Sequence, residues 1–241
     1  MTEALFRKDA YARDATGEVI RITSEGGIVL DGSVFYPTSG GQPGDSGTLQ
    51  WDGGEIEVAT TVKGEGDEII LVPAEPAGLP AVGQQVKQVL NWDRRYRHMR
   101  VHTALHLLSV VIPLPVTGGS IGVDKGRLDF DMPDALEDKE ALQDDLNRLI
   151  ACNMDVTEEW ITDAELDANP DLVKTMSVQP PRGSGKIRLV RIGVGVETAD
   201  LQPCGGTHVA NTEEIGRIRL GKTEKKGRQN RRVYITLEDT V

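Results

Sequence analysis

The sequence contains few cysteines, few histidines and no long apolar run. Its two cysteines, Cys152 and Cys204, give no disulfide framework and therefore favour a reducing compartment. No apolar run approaches the roughly 18 residues that a membrane-spanning helix needs, and no segment resembles a signal peptide. These absences predict a cytoplasmic protein that has no membrane partner.

The four histidines lie in two short segments, and three of them fall on one predicted helix. Its apolar residues recur at i, i+4, i+7 and i+11, the spacing of an amphipathic helix. They are Val101, Leu105, Leu108 and Ile112. Asn91 is a suitable cap at the start of this helix, and Pro113 stops it. His102 and His106 are four residues apart, so their side chains point the same way, roughly 6 Å from one another.

A metal site is predicted from these histidines and the second segment. Zinc prefers four tetrahedral nitrogen or sulfur ligands. A glycine turn able to wrap around an ion carries two further donors, which gives the set His102, His106, Cys204 and His208. His98 lies one turn earlier on the same face, so the pair of His98 and His102 is an alternative. The HxxxH segment lacks the glutamate of the HExxH zinc proteases, which disfavours peptidase chemistry.

The net charge of −11 argues at first against a nucleic-acid partner, but its distribution argues for one. Residues 1–90 carry 6 Lys+Arg against 14 Asp+Glu, and residues 133–171 carry 2 against 13. Residues 215–232 instead carry eight basic residues against Glu224 alone. A second basic cluster comprises Arg94, Arg95, Arg97 and Arg100. Basic stripes on an acidic body suit local phosphate contact; the alternative is an exposed hairpin that is basic for solubility.

At 241 residues the chain is long enough for two domains. Residues 1–90 contain short strand patterns separated by glycine and proline, which predicts a small β-barrel domain. The predicted strands are 18–23, 27–30, 55–62, 68–72 and 84–90. Residues 35–47 are too rich in glycine for a buried strand, so they form either a loop that lines a site or a tight double turn.

Residues 91–241 are predicted to form an α+β domain with helices on one side of an antiparallel sheet. Its predicted strands are 126–132, 156–161 and 186–192, with a hairpin of 215–220 and 233–238 joined by the basic segment. Asp134 with Glu137, and Thr162 with Glu165, are predicted to cap two further helices. The buried stripe of the first of these helices would comprise Leu142, Leu146, Leu149 and Ile150.

Four motifs follow one another along the chain. They are the glycine motif of residues 35–47, His102-Thr103-Ala104-Leu105-His106-Leu107-Leu108, Cys204-Gly205-Gly206-Thr207-His208-Val209, and Thr212 to Gly216 leading into Arg231-Arg232. In this order they resemble the free-standing alanyl-tRNA editing proteins of the AlaX type, which are similar to the editing domain of alanyl-tRNA synthetase. The resemblance spans nearly the full length and implies hydrolysis of the ester between a wrong amino acid, usually serine and sometimes glycine, and alanine tRNA. It also implies the barrel plus editing domain of the medium-length members, because no long extension follows Val241.

The resemblance assigns roles to individual residues. It implies one zinc ion per chain, held by His102, His106, Cys204 and His208. Gln42 matches the glutamine of the family's glycine motif, and Thr117 matches the threonine that accepts the serine hydroxyl, so we predict both as catalytic. The predicted substrate contacts are Gly40, Gly41, Gln42, Thr103 and Thr117. The predicted tRNA contacts are Arg94, Arg100, Lys222, Lys225, Lys226, Arg231 and Arg232. The implied partner is mischarged alanine tRNA, and no stable protein partner is predicted.

Four protein ligands would close a tetrahedral zinc site, and closed sites are usually structural. In an enzyme, either one ligand is loosely held, or the ion expands to five ligands during turnover, or the zinc only organises the pocket. The sequence leaves these three open. It also leaves two rivals to an editing enzyme: a structural zinc module that only binds RNA, and a zinc hydrolase that acts on a small ester or amide.

Overall fold

A computed structural model describes residues 1–75, 78–134, 138–176 and 185–238. The chain forms two compact units, Met1–Arg97 and His98–Val241. The predicted α+β fold class is confirmed, because the described residues contain a closed six-stranded barrel, further sheets and three α-helices. The units divide between Arg97 and His98, whereas the sequence pattern places a domain boundary near residue 90; that the units are two domains stays a prediction.

The described residues of the first unit form eight strands. They are β1 (Glu3–Ala4), β2 (Asp14–Ile22), β3 (Ile28–Leu30), β4 (Gly32–Ser33), β5 (Gly47–Trp51), β6 (Gly54–Lys63), β7 (Ile69–Pro73) and β8 (Gln85–Leu90). Strands β1 and β4 form a short parallel pair, while the other six close into an antiparallel barrel in the order β2-β3-β7-β6-β5-β8. All five predicted strands are present, with ends shifted by a few residues.

Strand β5 is a barrel strand that the sequence pattern did not predict. It begins at Gly47, the last residue of the glycine motif, and pairs with β6 on one side and β8 on the other. A Cβ atom at Gly47 would lie 2.1 Å from the carbonyl oxygen of Val89. The absent side chain therefore permits the two strands to approach, a role of glycine in strands that composition alone does not distinguish from a loop.

Alternate residues of the barrel strands build its core. Val19, Leu30, Leu49 and Leu71 are fully buried, as expected where one face of each strand points inward. Each such side chain contributes roughly 1.5–3 kcal/mol of transfer free energy relative to exposure. The core of this unit therefore does not depend on the histidine and cysteine segments.

The first helix, α1 (Trp92–Val111), begins where the sequence pattern predicts. The carbonyl and side chain of Asn91 accept the first N–H groups, at 3.1 Å from Arg95 and 3.2 Å from Arg94. The amphipathic pattern underestimates its burial, since every residue of 101–109 is buried rather than one stripe. A helix that is buried all round belongs to the interior of a protein, not to its surface.

In the second unit, the part of the chain that the structure describes forms two antiparallel sheets. Their strands are β9 (Val116–Ile121), β10 (Lys125–Asp131), β11 (Val156–Ile161), β12 (Ile187–Ile192), β13 (Asp200–Pro203), β14 (Ile218–Lys225) and β15 (Asn230–Leu237). One sheet has the order β14-β15-β10-β9 and the other β11-β12-β13. The predicted hairpin is present, but its strands are longer than expected, because pairing continues through Glu224 opposite Arg232 and Lys225 opposite Arg231. Most of the predicted basic loop is therefore strand.

The remaining helices are α2 (Lys139–Ala151) and α3 (Asp163–Ala168). The predicted capping pair of Thr162 and Glu165 is confirmed as a reciprocal capping box. The prediction that Asp134 caps α2 is wrong, because Asp138 caps it and accepts the N–H of Ala141 at 2.9 Å. The carbonyl groups of Pro133 and Asp134 accept hydrogen bonds from the guanidinium of Arg231 on β15. Residue 137 lies outside the described residues. Of the four residues in the predicted stripe of α2, Leu146 and Ile150 are buried.

Candidate metal centre

Helix α1 and the loop after β13 bring four metal-binding side chains together. One donor atom each from His102, His106, Cys204 and His208 lies within 4.8 Å of the other three. Cys204 Sγ is 3.4 Å from His102 Nε2 and 3.3 Å from His208 Nε2. Ligands of one tetrahedral zinc ion would be separated by roughly 3.6 Å, given bond lengths of about 2.1 Å to nitrogen and 2.3 Å to sulfur. These residues therefore fit a single ion of that size.

The environment of Cys204 favours its thiolate. Burial would raise the pKa of this thiol, but the charges of His102 and His208 and hydrogen bonds from the histidine rings lower it well below its usual value. The backbone N–H of Gly206 also points at Sγ, at 3.5 Å. A thiolate is the form of cysteine that binds metal ions, so the donor set suits a divalent cation.

His106 is held by a carboxylate on its other nitrogen. Its Nδ1 lies 2.9 Å from Asp200 Oδ2, and Lys174 Nζ lies 2.5 Å from Asp200 Oδ1. Burial lowers the pKa of His106, but the hydrogen bond with Asp200 and the nearby thiolate outweigh it and raise the pKa to about 9. Burial raises the pKa of Asp200, but His106 and Lys174 outweigh it and lower the pKa to about 2. Asp200 is therefore an ionised carboxylate.

His208 is held by Thr103, which we predicted as a substrate contact. The Thr103 hydroxyl donates to the carbonyl of Met99 at 2.9 Å and lies 3.1 Å from His208 Nδ1. Because the Thr103 hydroxyl donates its only proton to Met99, it can only accept the Nδ1–H of His208. The other ring nitrogen, Nε2, then faces the sulfur of Cys204. Thr103 is fully buried. Its contacts orient a candidate ligand, and its role as a substrate contact stays a prediction.

Arg188 holds the loop that carries Cys204. Its guanidinium donates to the carbonyl groups of Cys204 at 2.6 Å and Gly206 at 3.0 Å, and pairs with Glu158 on β11 at 2.5 Å. Two backbone carbonyls of the loop are thus tied to the sheet through one side chain. The loop therefore has a fixed shape around its donor atoms.

The alternative pair of His98 and His102 differs from the cluster that forms. His98 is fully buried on α1 one turn before His102, and the cluster includes His106 in its place. The rings of His102 and His106 are 5.3 Å apart between centroids, close to the spacing that the helix predicts. His106 therefore belongs to the candidate metal site.

Thr117 lies at a β-bulge. Val116 pairs with Phe130 and Gly118 with Asp129, so the register of β9 against β10 shifts at Thr117. Its hydroxyl donates to the carbonyl of Asp129 at 3.1 Å and accepts Asn230 Nδ2 at 2.7 Å. A bulge re-aims a side chain and is common beside active sites. The role of Thr117 toward serine stays a prediction.

The glycine motif contains the tight turn that we weighed against a site loop. Ser39 and Gln42 pair across Gly40 and Gly41, whose φ angles of 56° and 82° are both positive. Two consecutive positive φ angles define a two-residue hairpin turn that favours glycine. Gln42 itself is fully buried. The positive φ angles of the turn explain why Gly40 and Gly41 are glycines. That Gly40, Gly41 and Gln42 contact the substrate stays a prediction.

The predicted tRNA contacts fall into two groups. The guanidinium groups of Arg94, Arg100 and Arg231 donate to backbone carbonyls, and Arg232 pairs with Asp129 at 2.7 Å. The lysines lie at the exposed end of the β14–β15 hairpin, where Glu224 pairs with two of them. They are Lys222, Lys225 and Lys226. Arg95, which the basic cluster on α1 included, is fully buried and paired with Asp45, so it is not a surface cation.

Three residues around the metal cluster were missed by sequence reasoning: Asp200, Lys174 and Arg188. Asp200 and Gln202 alternate on the strand that ends just before Cys204, so their side chains share a face. That alternation is a signal that could have identified Asp200. Lys174 and Arg188 come from separate segments, and their contacts depend on tertiary packing.

Two family models match parts of the chain. The model described as the threonyl and alanyl tRNA synthetase second additional domain matches residues 187–234. The model described as tRNA synthetases class II (A) matches residues 7–94. Together they cover most of the barrel unit and the strands on either side of the Cys204 loop.

Curated relatives match the chain from end to end. The alanyl-tRNA editing protein AlaX-M of Methanosarcina barkeri is 40% identical over 249 residues, which covers 99% of this chain and 100% of that protein. The AlaX-M proteins of Methanosarcina acetivorans and Saccharolobus solfataricus are 39% and 36% identical over the same share of each chain.

No helix in the described ranges is long and apolar enough to cross a membrane.

Proposed function

This chain belongs to the family of alanyl-tRNA editing proteins, and from that membership we propose that it hydrolyses the aminoacyl ester of mischarged alanine tRNA in trans. The proposed substrates are seryl-tRNA(Ala) and, as a second substrate, glycyl-tRNA(Ala). A protein with this substrate would work in the cytoplasm, where tRNA is charged. The observation that carries the proposal is the His102, His106, Cys204 and His208 cluster in a chain that matches these relatives over its whole length.

We propose Zn²⁺, one ion per chain, as the metal of this cluster. Three imidazoles and one thiolate are the mixed nitrogen and sulfur set that zinc prefers over harder cations. Bound there, zinc supplies positive charge that polarises a carbonyl oxygen or acidifies a water molecule. The four donors are buried or half-buried, which strengthens such electrostatic effects relative to water.

The chain's own residues must position an ester that is already activated. We propose that Gln42 and backbone N–H groups of the glycine motif donate hydrogen bonds to the oxyanion that develops at the ester carbonyl. We propose that Thr117 accepts the hydroxyl proton of the serine moiety. Its own proton is donated to the carbonyl of Asp129 and its oxygen accepts Asn230 Nδ2, so toward serine this hydroxyl would act as an acceptor.

A hydroxyl partner explains how such a site would spare the correct product. Alanine is smaller than serine, so a steric limit on size cannot protect alanyl-tRNA. A site that pairs a substrate hydroxyl can reject an analogue lacking it by up to ~10⁴-fold, because its polar group would otherwise remain unpaired. The proposed selectivity for serine over alanine therefore rests on Thr117 rather than on pocket volume, whereas hydrolysis of the glycine ester, which lacks a hydroxyl, would not depend on Thr117.

We propose that the lysines at the end of the β14–β15 hairpin contact tRNA phosphates. Lys222 is 73% exposed and Lys226 42% exposed at their side chains. Long basic side chains on an exposed hairpin can follow a phosphate backbone. Arg94, Arg100, Arg231 and Arg232 are proposed as contacts as well, with part of each guanidinium already bonded within the protein.

A deacylation assay tests the proposed function. The purified chain would be incubated with seryl-, glycyl- and alanyl-tRNA(Ala), each with and without a chelator, and release of the amino acid would be followed over time. We expect rapid loss of serine, slower or no loss of alanine, and loss of activity after chelation. A free serine ester without tRNA is the control for tRNA dependence.

The other outcomes of the assay would replace the proposal. Metal content and tRNA binding without hydrolysis of any ester would indicate a structural RNA-binding module. Hydrolysis of the small ester at the same rate as seryl-tRNA would indicate a general zinc hydrolase.

A further inference from the structure

Asp200 is a buried carboxylate with three partners around it. Its Oδ2 accepts from Gln202 Nε2 at 2.8 Å and contacts His106 Nδ1 at 2.9 Å, while Oδ1 binds Lys174. The side chain of Asp200 has no solvent exposure. A buried carboxylate is stable only where charge and hydrogen bonds compensate it, so this arrangement fixes the orientation of all four groups.

The contact between Asp200 and His106 determines which ring nitrogen carries the proton. Oδ2 is an acceptor, because Lys174 and Gln202 both donate to this carboxylate. Gln202 Nε2 also lies 3.2 Å from His106 Nδ1, but it donates to Asp200 Oδ2 at the shorter 2.8 Å. Two acceptors do not approach to 2.9 Å, so the hydrogen between Nδ1 and Oδ2 sits on His106 Nδ1. In the neutral ring that would bind a metal ion, the lone pair is then on Nε2, which is the nitrogen left for that ion. A neutral histidine binds a metal through one nitrogen only, and the bond made by the other nitrogen selects it.

We propose that Asp200 is the positioning residue of the metal site: it holds His106 as the Nδ1–H tautomer with Nε2 directed to the metal, and Lys174 keeps its carboxylate in that orientation. This inference rests on the metal centre of the proposed function and deepens it. Thr103 performs the same task for His208 with a neutral hydroxyl, whereas Asp200 brings a full negative charge beside the ligand.

Lys174 also links the Asp200 carboxylate to strand β9. Its backbone carbonyl accepts the N–H of Val116 at 3.0 Å, and the carbonyl of Val116 accepts the N–H of Met176 at 2.8 Å. Val116 directly precedes Thr117. One short segment therefore holds both the carboxylate behind His106 and the strand that carries the proposed serine-binding hydroxyl, so the two features keep a fixed separation.

Zinc affinity and ring tautomer test this role without any tRNA. The dissociation constant for zinc would be measured by competition with a chelator of known affinity, for the full chain and for Asp200→Ala and Asp200→Asn. We expect Asp200→Ala to weaken zinc binding about 10–100-fold. We expect Asp200→Asn to weaken it less, because the amide oxygen can still accept the Nδ1–H. Asp171→Ala removes an exposed aspartate three residues before Lys174 and should leave the affinity unchanged.

The spectroscopic readout uses the small number of imidazoles. With four histidines in the chain, proton–nitrogen correlation spectra of the zinc-loaded protein are simple to assign. We expect His106 to show a proton on Nδ1 and a metal-shifted Nε2, and Asp200→Ala to lose the protected Nδ1 proton.

Zinc affinity of both Asp200 variants equal to that of the unchanged chain, or a proton on Nε2 of His106, would overturn the inference while leaving the metal centre intact. Failure of the unchanged chain to bind zinc would instead remove the metal centre and, with it, this inference.

Discussion

Three of the candidate ligands have a hydrogen-bond partner outside the cluster that orients them. Asp200 holds His106, Thr103 holds His208, and the N–H of Gly206 points at the sulfur of Cys204. Because these supports are separate, removal of one donor atom should weaken metal binding without unfolding the rest of the unit. Single substitutions at these residues can therefore separate an effect on metal binding from an effect on the stability of the fold.

Cys204→Ala should lose stoichiometric zinc, because three imidazoles remain and no thiolate balances the charge of the ion. Zinc content after gel filtration, measured by atomic emission, checks this. The matched control is Cys152→Ala, which removes the other cysteine, an exposed thiol, and should retain one zinc per chain. Full zinc retention by Cys204→Ala would refute its assignment as a ligand.

Thr117→Val should lower kcat/KM for seryl-tRNA(Ala) by about tenfold or more, the effect of one lost hydrogen bond, because valine keeps the shape but not the hydroxyl. Zinc content should stay the same. Thr117→Ser restores the hydroxyl and should recover most of the activity. Unchanged serine release by Thr117→Val would remove Thr117 from this role.

The candidate ligand residues were accessible to sequence reasoning, whereas the supporting residues Lys174 and Arg188 were not. His102 and His106 follow from helical spacing, and Cys204 and His208 from a glycine turn with two donors. Lys174 and Arg188 carry no such spacing, because their contacts arise from strands that meet only in the folded chain. Arg95 shows the same limit: its charge suggested a surface cation, but burial beside Asp45 makes it part of the barrel unit.

At the scale of elements, the central feature of the second unit is a helix packed closely against a strand. A Cβ atom at Gly126 on β10 would lie 2.6 Å from Val101 Cγ1 and 3.0 Å from Leu105 Cδ1 of α1. The apolar period of α1 predicted the helix but only one buried stripe. The spacing of apolar residues identifies the most apolar face of a helix, but it cannot reveal that other elements cover the remaining faces. Pairing likewise extended β14 and β15 into a segment whose charge suggested a loop.

Gly126→Ala should destabilise the protein by about 1–3 kcal/mol, because a methyl group there overpacks the contact with α1. Thermal and denaturant unfolding would measure the change. Gly118→Ala on the neighbouring strand β9 is the control, since its Cβ would meet Asp129 Oδ2 at an ordinary 3.6 Å. Equal stability of the two variants would show that the close approach of β10 and α1 carries little energy.

At the scale of the whole molecule, the apolar core of the barrel unit and the candidate metal centre are built from separate residues. The barrel has its own apolar core, while the cluster lies in residues 98–241. The sequence predicted both parts of the fold class, since strand patterns fill the first part of the chain and helices alternate with strands in the second. The exact dividing residue was not predictable, because α1 continues through it without a break in pattern.

Removal of zinc should lower the unfolding temperature of the second unit and leave that of the barrel unit nearly unchanged. A ligand that binds only the folded state adds about 4 kcal/mol at a thousandfold excess over its dissociation constant. Scanning calorimetry with and without chelator would measure this, with tryptophan fluorescence as a second probe. A uniform shift of the whole transition would show that the two units unfold together.

The salt bridge and hydrogen bonds of Arg188 have a consequence for how the ion is exchanged. They brace the carbonyls of Cys204 and Gly206 against β11 using protein groups alone. The metal site would then be preformed, and the loop around Cys204 would lose little conformational entropy when the cation binds. Remetallation should accordingly be rapid and reversible, unlike the coupled folding of small zinc fingers, whose backbone is unfolded until the ion arrives.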